Sequence, residues 1–163
     1  MTKARNPIPE GLHTITPQLV VKGAALALDF YKKALGAIEI ARMPGPNGLI
    51  MHSVMQIGDA RFFVNDEMPG PGGPGRSPLS FGGTSVTINL YVPDCDKIYK
   101  QAIAAGAKQV MALDDQFWGD RYGVVVDPFG HRWAIATRKE DLTNEELDKR
   151  GKDFMASMPP QRN

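Results

Sequence analysis

Apolar and polar positions along the chain spell the same pattern twice. Leu19-Val20-Val21 is a short apolar run, after which Ala24, Ala27, Leu28, Tyr31 and Leu35 recur at helical spacing. Some 70 residues later Leu90-Tyr91-Val92 leads into Cys95, Ile98, Tyr99 and Ala102 at the same spacing, with Asp94 placed to cap the helix. Gly36 and Gly106 follow the two segments, where a left-handed residue commonly ends a helix. Strand-like runs come next: 38–42, 49–57 and 61–64 in the first half, and 109–112, 123–126 and 132–137 in the second. Gly58-Asp59 and Asp127-Pro128-Phe129-Gly130 supply the tight turns before the last strands. Each half therefore reads βαβββ, an α+β arrangement.

The predicted organisation is a lead-in over residues 1–13, a first module over 14–66, a connection over 67–83, a second module over 84–139, and a C-terminal helix and tail over 140–163. The connection holds six Gly and four Pro in 17 residues, which predicts a surface segment that continues neither sheet nor helix. It reads either as a plain linker or as a loop that folds over a ligand. The last helix is signalled by a capping box, Thr143 with Glu146. Leu147, Gly151, Phe154, Met155 and Met158 share one face of it, to be buried on its own domain or on a second subunit.

Composition narrows the function classes. The chain is 42% hydrophobic and 23% charged, ordinary for a globular protein. Nineteen Lys and Arg against eighteen Asp and Glu give +1 with no block of like charge, so neither nucleic acid nor a membrane surface is an expected partner. The lone Cys95 excludes an internal disulfide and fits a reduced, cytoplasmic setting. The first twelve residues lack the apolar core of a signal peptide, and nowhere do about 18 apolar residues run together. A phosphate loop, a dinucleotide fingerprint and a Ser/His/Asp triad are all missing, and no cofactor is expected. Gly70–Gly75 is broken by proline and is no phosphate cradle.

Several short motifs occur in a telling order: Leu28-Asp29-Phe30-Tyr31-Lys32-Lys33-Ala34-Leu35-Gly36-Ala37, Met51-His52-Ser53-Val54, Ile57-Gly58-Asp59, Gly82-Gly83-Thr84, and Phe117 to Gly123 followed by Asp127-Pro128-Phe129-Gly130-His131. From about Ile15 to Arg150 the chain resembles the vicinal-oxygen-chelate superfamily of glyoxalases, bleomycin-resistance proteins and extradiol dioxygenases, in particular its PhnB-like branch. The resemblance implies a glyoxalase/bleomycin-resistance fold, two βαβββ modules forming a curved eight-stranded mixed sheet around a ligand, and a homodimer.

In the metal-using members each module gives one ligand from its first strand and one from its last. Carried over, those positions fall at Thr16 and Thr87, at Phe62 or Phe63, and at Ala134. Hydroxyl, ring and methyl groups do not supply the imidazole or carboxylate that a divalent ion needs, so no metal is expected there.

The candidate ligand-binding residues are Gln18, His52, Phe117, Trp118, Arg121 and Tyr122. His52 lies mid-strand and faces the cleft, where it acts as general acid or base, binds a ligand, or simply orders the wall. The rings of Phe117, Trp118 and Tyr122 offer flat surface to a planar ligand, and Arg121 a fork for a carboxylate or phosphate, against the alternative of an internal Asp120–Arg121 pair. His131 reads as an exposed structural histidine, His13 as inert and Trp133 as core. Three functions follow. The first is a binding protein that sequesters a planar or aromatic small molecule. The second is a glyoxalase-type lyase or isomerase acting on a small oxygenated substrate with His52 as acid/base. The third is a dimeric module that binds another protein.

Overall fold

The structure is a computed structural model that describes residues 3–68, 70, 73 and 75–159. Pro69, Pro71, Gly72 and Pro74 of the predicted connection, together with the ends of the lead-in and tail, lie outside the described residues.

The first module runs β1 (Gln18–Val21), α1 (Ala24–Leu35), β2 (Ile38–Pro44), β3 (Ile50–Ile57) and β4 (Ala60–Asp66). A one-turn helix, α2 (Pro78–Phe81), precedes the second module. That module comprises β5 (Thr87–Tyr91), α3 (Cys95–Ala104), β6 (Lys108–Asp115), β7 (Asp120–Val126) and β8 (Arg132–Arg138), and α4 (Asn144–Ser157) ends the fold. The eight strands hydrogen-bond as two four-stranded mixed sheets of identical topology, β1-β4-β3-β2 and β5-β8-β7-β6. In each, the first and last strands are parallel neighbours and the other pairs antiparallel. Gln18 pairs with Phe63 and Asn89 with Ala134, so one offset superposes both strand pairs and the duplication read from the sequence holds in space.

Local chemistry explains the elements. Asp94 accepts from Lys97 N at the start of α3, and Thr143 and Glu146 form the expected reciprocal cap of α4. No side chain of its own loop caps α1. Asp66, at the end of β4, does so instead, accepting from Gly23 N and Ala24 N through Oδ1 and from Ile50 N through Oδ2. Gly36 ends α1 at φ 67, a conformation that a Cβ would strain. Mid-β7, Gly123 leaves room for the Tyr99 ring, which stands 2.8 Å from where a Cβ would sit.

Both helices pack on their own sheets and touch each other, so the modules share one core. Its centre is aromatic. Tyr31 of α1 lies edge-on to Phe62 at 5.8 Å, and Trp133 of β8 approaches Tyr31 to 5.6 Å and Phe62 to 5.9 Å. Asp127, only 4% exposed, closes this core. Its Oδ2 accepts from Tyr31 Oη (2.9 Å) and Trp133 Nε1 (2.9 Å), and its Oδ1 from Phe129 N and His131 N. Four donors satisfy a buried carboxylate that would otherwise be costly.

One sequence expectation is corrected. The Gly/Pro-rich connection holds the α2 turn, with Ser77 and Pro78 buried. Proline at the first turn of α2 suits a helix start, where its missing N–H has no partner to lose.

Burial and the Asp127 carboxylate push the Tyr31 hydroxyl well above its ordinary pKa. A raised folded value means that the native state keeps a proton which the unfolded chain releases near pH 10, so this stability is complete below about pH 10 and lost above it. Tyr31→Phe is expected to cost about 1–2 kcal/mol at neutral pH. In thermal melts from neutral to strongly alkaline pH, the gap between wild type and this variant narrows as pH rises; a constant gap contradicts the proposed pairing.

Candidate functional site

Along a strand, alternate side chains point to opposite faces. Leu19, Val21, Met55, Phe62 and Val64 are buried on the helix side of the first sheet. Gln18, His52 and Phe63 fall on its other face. Of the two adjacent rings on the fourth strand, Phe62 is core and Phe63 stands on the open face. His52 rests against Phe63 with ring centroids 4.7 Å apart, and among the described residues no group hydrogen-bonds its imidazole. Gln18 is fixed by Asn65, its Nε2 donating to Oδ1 at 2.9 Å.

The second sheet has its own aromatic group. Trp118 Nε1 (3.1 Å) and Tyr91 Oη (2.7 Å) both donate to Oδ2 of Asp120, which is buried. Trp118 lies edge-on to Tyr122 at 5.5 Å and to Phe117 at 5.1 Å, and Phe117 stacks on Phe154 of α4 at 4.8 Å. Hydrogen bonding to Asp120, with partial burial, raises the Tyr91 pKa. The rings predicted as a wall are thus brought together. Tyr91, Asp120 and Phe154 join them, signalled in sequence only by their residue types.

Arg121 is not part of that wall. It alternates with Tyr122 onto the α3 side, where Nε and Nη2 clasp the Asp96 carboxylate (2.8 and 3.0 Å) and Nη1 meets Asp115 at 3.2 Å. These contacts hold the Asp96 carboxyl below its usual range. The predicted fork is spent within the fold, on Asp96 of α3 and on Asp115 across the β6–β7 turn rather than on Asp120.

The two sheets meet near β1 and β5, and cavities open along that seam. One of about 370 Å³ is bounded by Gln18, Val20, Arg76, Thr84, Ser85 and His131. A neighbour of about 280 Å³ shares Gln18, Thr84 and His131 and adds Arg132. His131 is therefore not an exposed bystander: it is half-buried, and its Nε2 lies 3.1 Å from Val20 O, tying the second module to β1. Arg132 went unremarked in the sequence. Its counterpart by the repeat offset, Arg61, was the available signal.

The rim of the larger cavity is built by the connection. Glu67 accepts from Ser77 N (3.0 Å) and from the hydroxyls of Ser77 and Ser80, and Arg76 lies over the Phe81 ring at 5.2 Å. The Ser77 hydroxyl first, then its amide and Ser80, hold the Glu67 carboxyl down at about 2.

The donor chemistry at the four family metal positions does not fit a divalent ion. Thr16, whose hydroxyl donates to His13 O, precedes β1, and Thr87, Phe63 and Ala134 provide no imidazole or carboxylate. Among the described residues no three His, Cys, Asp or Glu side chains group to hold a metal. No helix among the described residues is long and apolar enough to cross a membrane.

Comparison with known proteins agrees with this geometry. The family profile of the "Glyoxalase/Bleomycin resistance protein/Dioxygenase superfamily" matches residues 11–135. The chain is 46% identical over 134 residues to "Uncharacterized protein Rv0887c" of Mycobacterium tuberculosis, covering 82% of this chain and 79% of that protein. Among solved structures, TioX from Micromonospora sp. ML1 superposes with a TM-score of 0.62 at 25% identity, covering 77% of this chain and 98% of TioX. A Bacillus cereus structure described as "Putative 3-demethylubiquinone-9 3-methyltransferase, PhnB protein" shares the fold alone, at TM-score 0.58 and 14% identity over 77% of this chain and 99% of its own.

A lowered carboxyl stabilises the charged form above its unfolded value, and that contribution is lost as pH falls through the interval down to about 2. Acidification is therefore expected to release the Ser77 amide to hydrogen exchange before the sheets unfold, and Glu67→Gln to release it at neutral pH. Protection of Ser77 unchanged in the variant contradicts the clamp.

Proposed function

Because this chain belongs to the glyoxalase/bleomycin-resistance/dioxygenase superfamily and its chelating corners are threonine, phenylalanine and alanine, we propose that it binds a small planar or aromatic molecule in its β-cleft without the divalent ion. The observation that carries this reading is the pairing of Gln18 with Phe63 and of Asn89 with Ala134. This common register supports matching Phe63 with Ala134 across the repeat, a ring and a methyl group where a metal-binding relative would need imidazole or carboxylate. Such a surface offers stacking and amide hydrogen bonds to a flat molecule, through Phe63, His52 and Gln18 and through Trp118 and Tyr122. Phe117 steadies Trp118 from the α4 side, and Arg121 acts behind the wall, by holding β7 to α3.

The proposal places the chain in the PhnB-like branch, as a cytoplasmic homodimer. Exposed apolar side chains support the dimer: Ile38 (62%) and Met43 (56%) on β2, Val110 (50%) on β6, and Met155 (68%) on α4. No nucleic-acid or membrane partner is proposed.

One observation favours a second reading, a lyase or isomerase of the glyoxalase type. The His52 imidazole lies against Phe63 on the open face of the first sheet with no hydrogen-bond partner among the described residues, which leaves a ring nitrogen to take or give a proton.

A ligand selective for the folded state raises stability, by about 2.7 kcal/mol at a hundred times its Kd. A thermal-shift screen of planar aromatic compounds against metal-stripped protein is expected to find hits, and His52→Ala to weaken them about tenfold or less with no product formed. If a compound is turned over and His52→Ala stops it, the enzyme reading replaces sequestration; if nothing shifts the melt, sequestration fails.

A further inference from the structure

We infer that the seam between the modules is a subsite for an oxyanion, a phosphate- or carboxylate-type group, with Arg132 as its principal partner and His131, Gln18 and Thr84 around it. The inference deepens the proposed reading by giving the cleft ligand a negatively charged end. It rests on that reading only for the remainder of the molecule.

Arg132 is the unusual residue. It opens β8 on the face opposite the buried Trp133, is half-buried, and makes no hydrogen bond or ion pair among the described residues. Its Nε is fully enclosed with no partner. An enclosed guanidinium N–H without an acceptor is costly, and folded proteins rarely leave one so. The repeat supplies an internal control. Arg61 lies two residues before Phe63 as Arg132 lies two before Ala134, yet Arg61 has acceptors within the fold: Nε donates to Gln56 (3.0 Å) and Nη1 to Glu10 O (2.7 Å). The second module has kept the arginine and dropped its acceptors.

The polar groups around Arg132 include no negative charge. Arg132 lines the smaller cavity beside Leu19, Val86 and Ile88, Arg76 and Ser85 line the larger, His131, Gln18 and Thr84 border both, and neither lining includes an Asp or Glu. Arg76 spends Nη2 on Ser80 O (2.8 Å) and retains its remaining N–H groups. His131, whose Nε2 lies against Val20 O, has an Nδ1 with no partner among the described residues, a further polar group for the site. Arg132 also pairs in register with Thr87, one of the positions that would carry a metal ligand in relatives. A guanidinium thus stands beside the corner where metal-using relatives hold a cation, and its terminal nitrogens suit an oxyanion in shape as well as charge.

The test uses inorganic phosphate and, separately, benzoate at constant ionic strength. The readouts are the arginine Nε–H and backbone amide resonances of the full-length protein. A saturable shift of the Arg132 Nε–H, with the amides of Thr84 and His131, is expected with at least one of them; phosphate alone points to a phosphoryl end, benzoate alone to an aryl carboxylate. Arg132→Met is expected to weaken binding about tenfold or more. The same variant should leave the melting temperature unchanged or raised, since no native partner is lost. Arg132→Lys, which keeps the charge without the fork, should fall between, and Arg138→Met, at the far end of β8 where Arg138 pairs with Asp141 just beyond the strand, should match wild type. No saturable shift with either anion overturns the inference, as do shifts that persist in Arg132→Met. Either result leaves sequestration of an uncharged aromatic molecule standing, because the anions are tested without the rest of a ligand.

Discussion

A single buried carboxylate holds the two halves of this protein in one arrangement. Asp127 sits in the turn between β7 and β8 and takes its hydrogen bonds from the α1 tyrosine of the other module, from Trp133, and from the two backbone amides that shape its own turn. A charge with four donors in an apolar setting is tolerated only while all four stay in place. That condition links the orientation of α1, the first module's main helix, to the strand that carries Arg132 and Ala134. The aromatic group of Tyr31, Phe62, Phe129 and Trp133 packs around this link, and the seam where ligand chemistry is proposed lies directly beside it. The turn that presents Asp127 also presents His131, so structure and site draw on the same few residues.

Duplication explains how such a seam came to be asymmetric. Both modules end their fourth strand in the same register, but their equivalent positions have diverged: Phe63 against Ala134, a satisfied Arg61 against an unsatisfied Arg132. With neither imidazole nor carboxylate at the corners, a metal-centred reaction has no ligands to be built on. What remains is a pair of open sheet faces, one presenting His52, Phe63 and Gln18 and the other the Trp118–Asp120–Tyr91 group. The connection, clamped by Glu67, borders the cavity between modules. Under the proposed function, such a surface would recognise its ligand by shape and a few polar groups rather than by a Lewis acid.

Much of this was legible in the sequence, because it is encoded locally. Helical spacing marked α1 and α3 to within a turn, Asp94 announced the cap of α3 and the Thr143–Glu146 pair that of α4, and the repeat offset marked the βαβββ element order of both modules. What escaped depends on partners far apart in sequence. Arg121 reads as a ligand fork until α3 brings Asp96 alongside it; His131 reads as a surface residue until β1 arrives with Val20 O; the connection reads as structureless until Glu67 meets Ser77 across ten residues. Asp66 capping a helix some 42 positions earlier is a link of the same kind. The seam's arginine has a signal in the repeat, its match to Arg61, but residue type alone does not set it apart from ordinary charged residues.

Affinity measured calorimetrically on one preparation before and after exhaustive chelation, using any aromatic ligand that raises the melting temperature, bears most directly on whether this cleft works without a divalent ion. The account predicts the same Kd in both states and no gain on adding back zinc, manganese or magnesium. Binding that vanishes with the chelator and returns with one of those ions would contradict it.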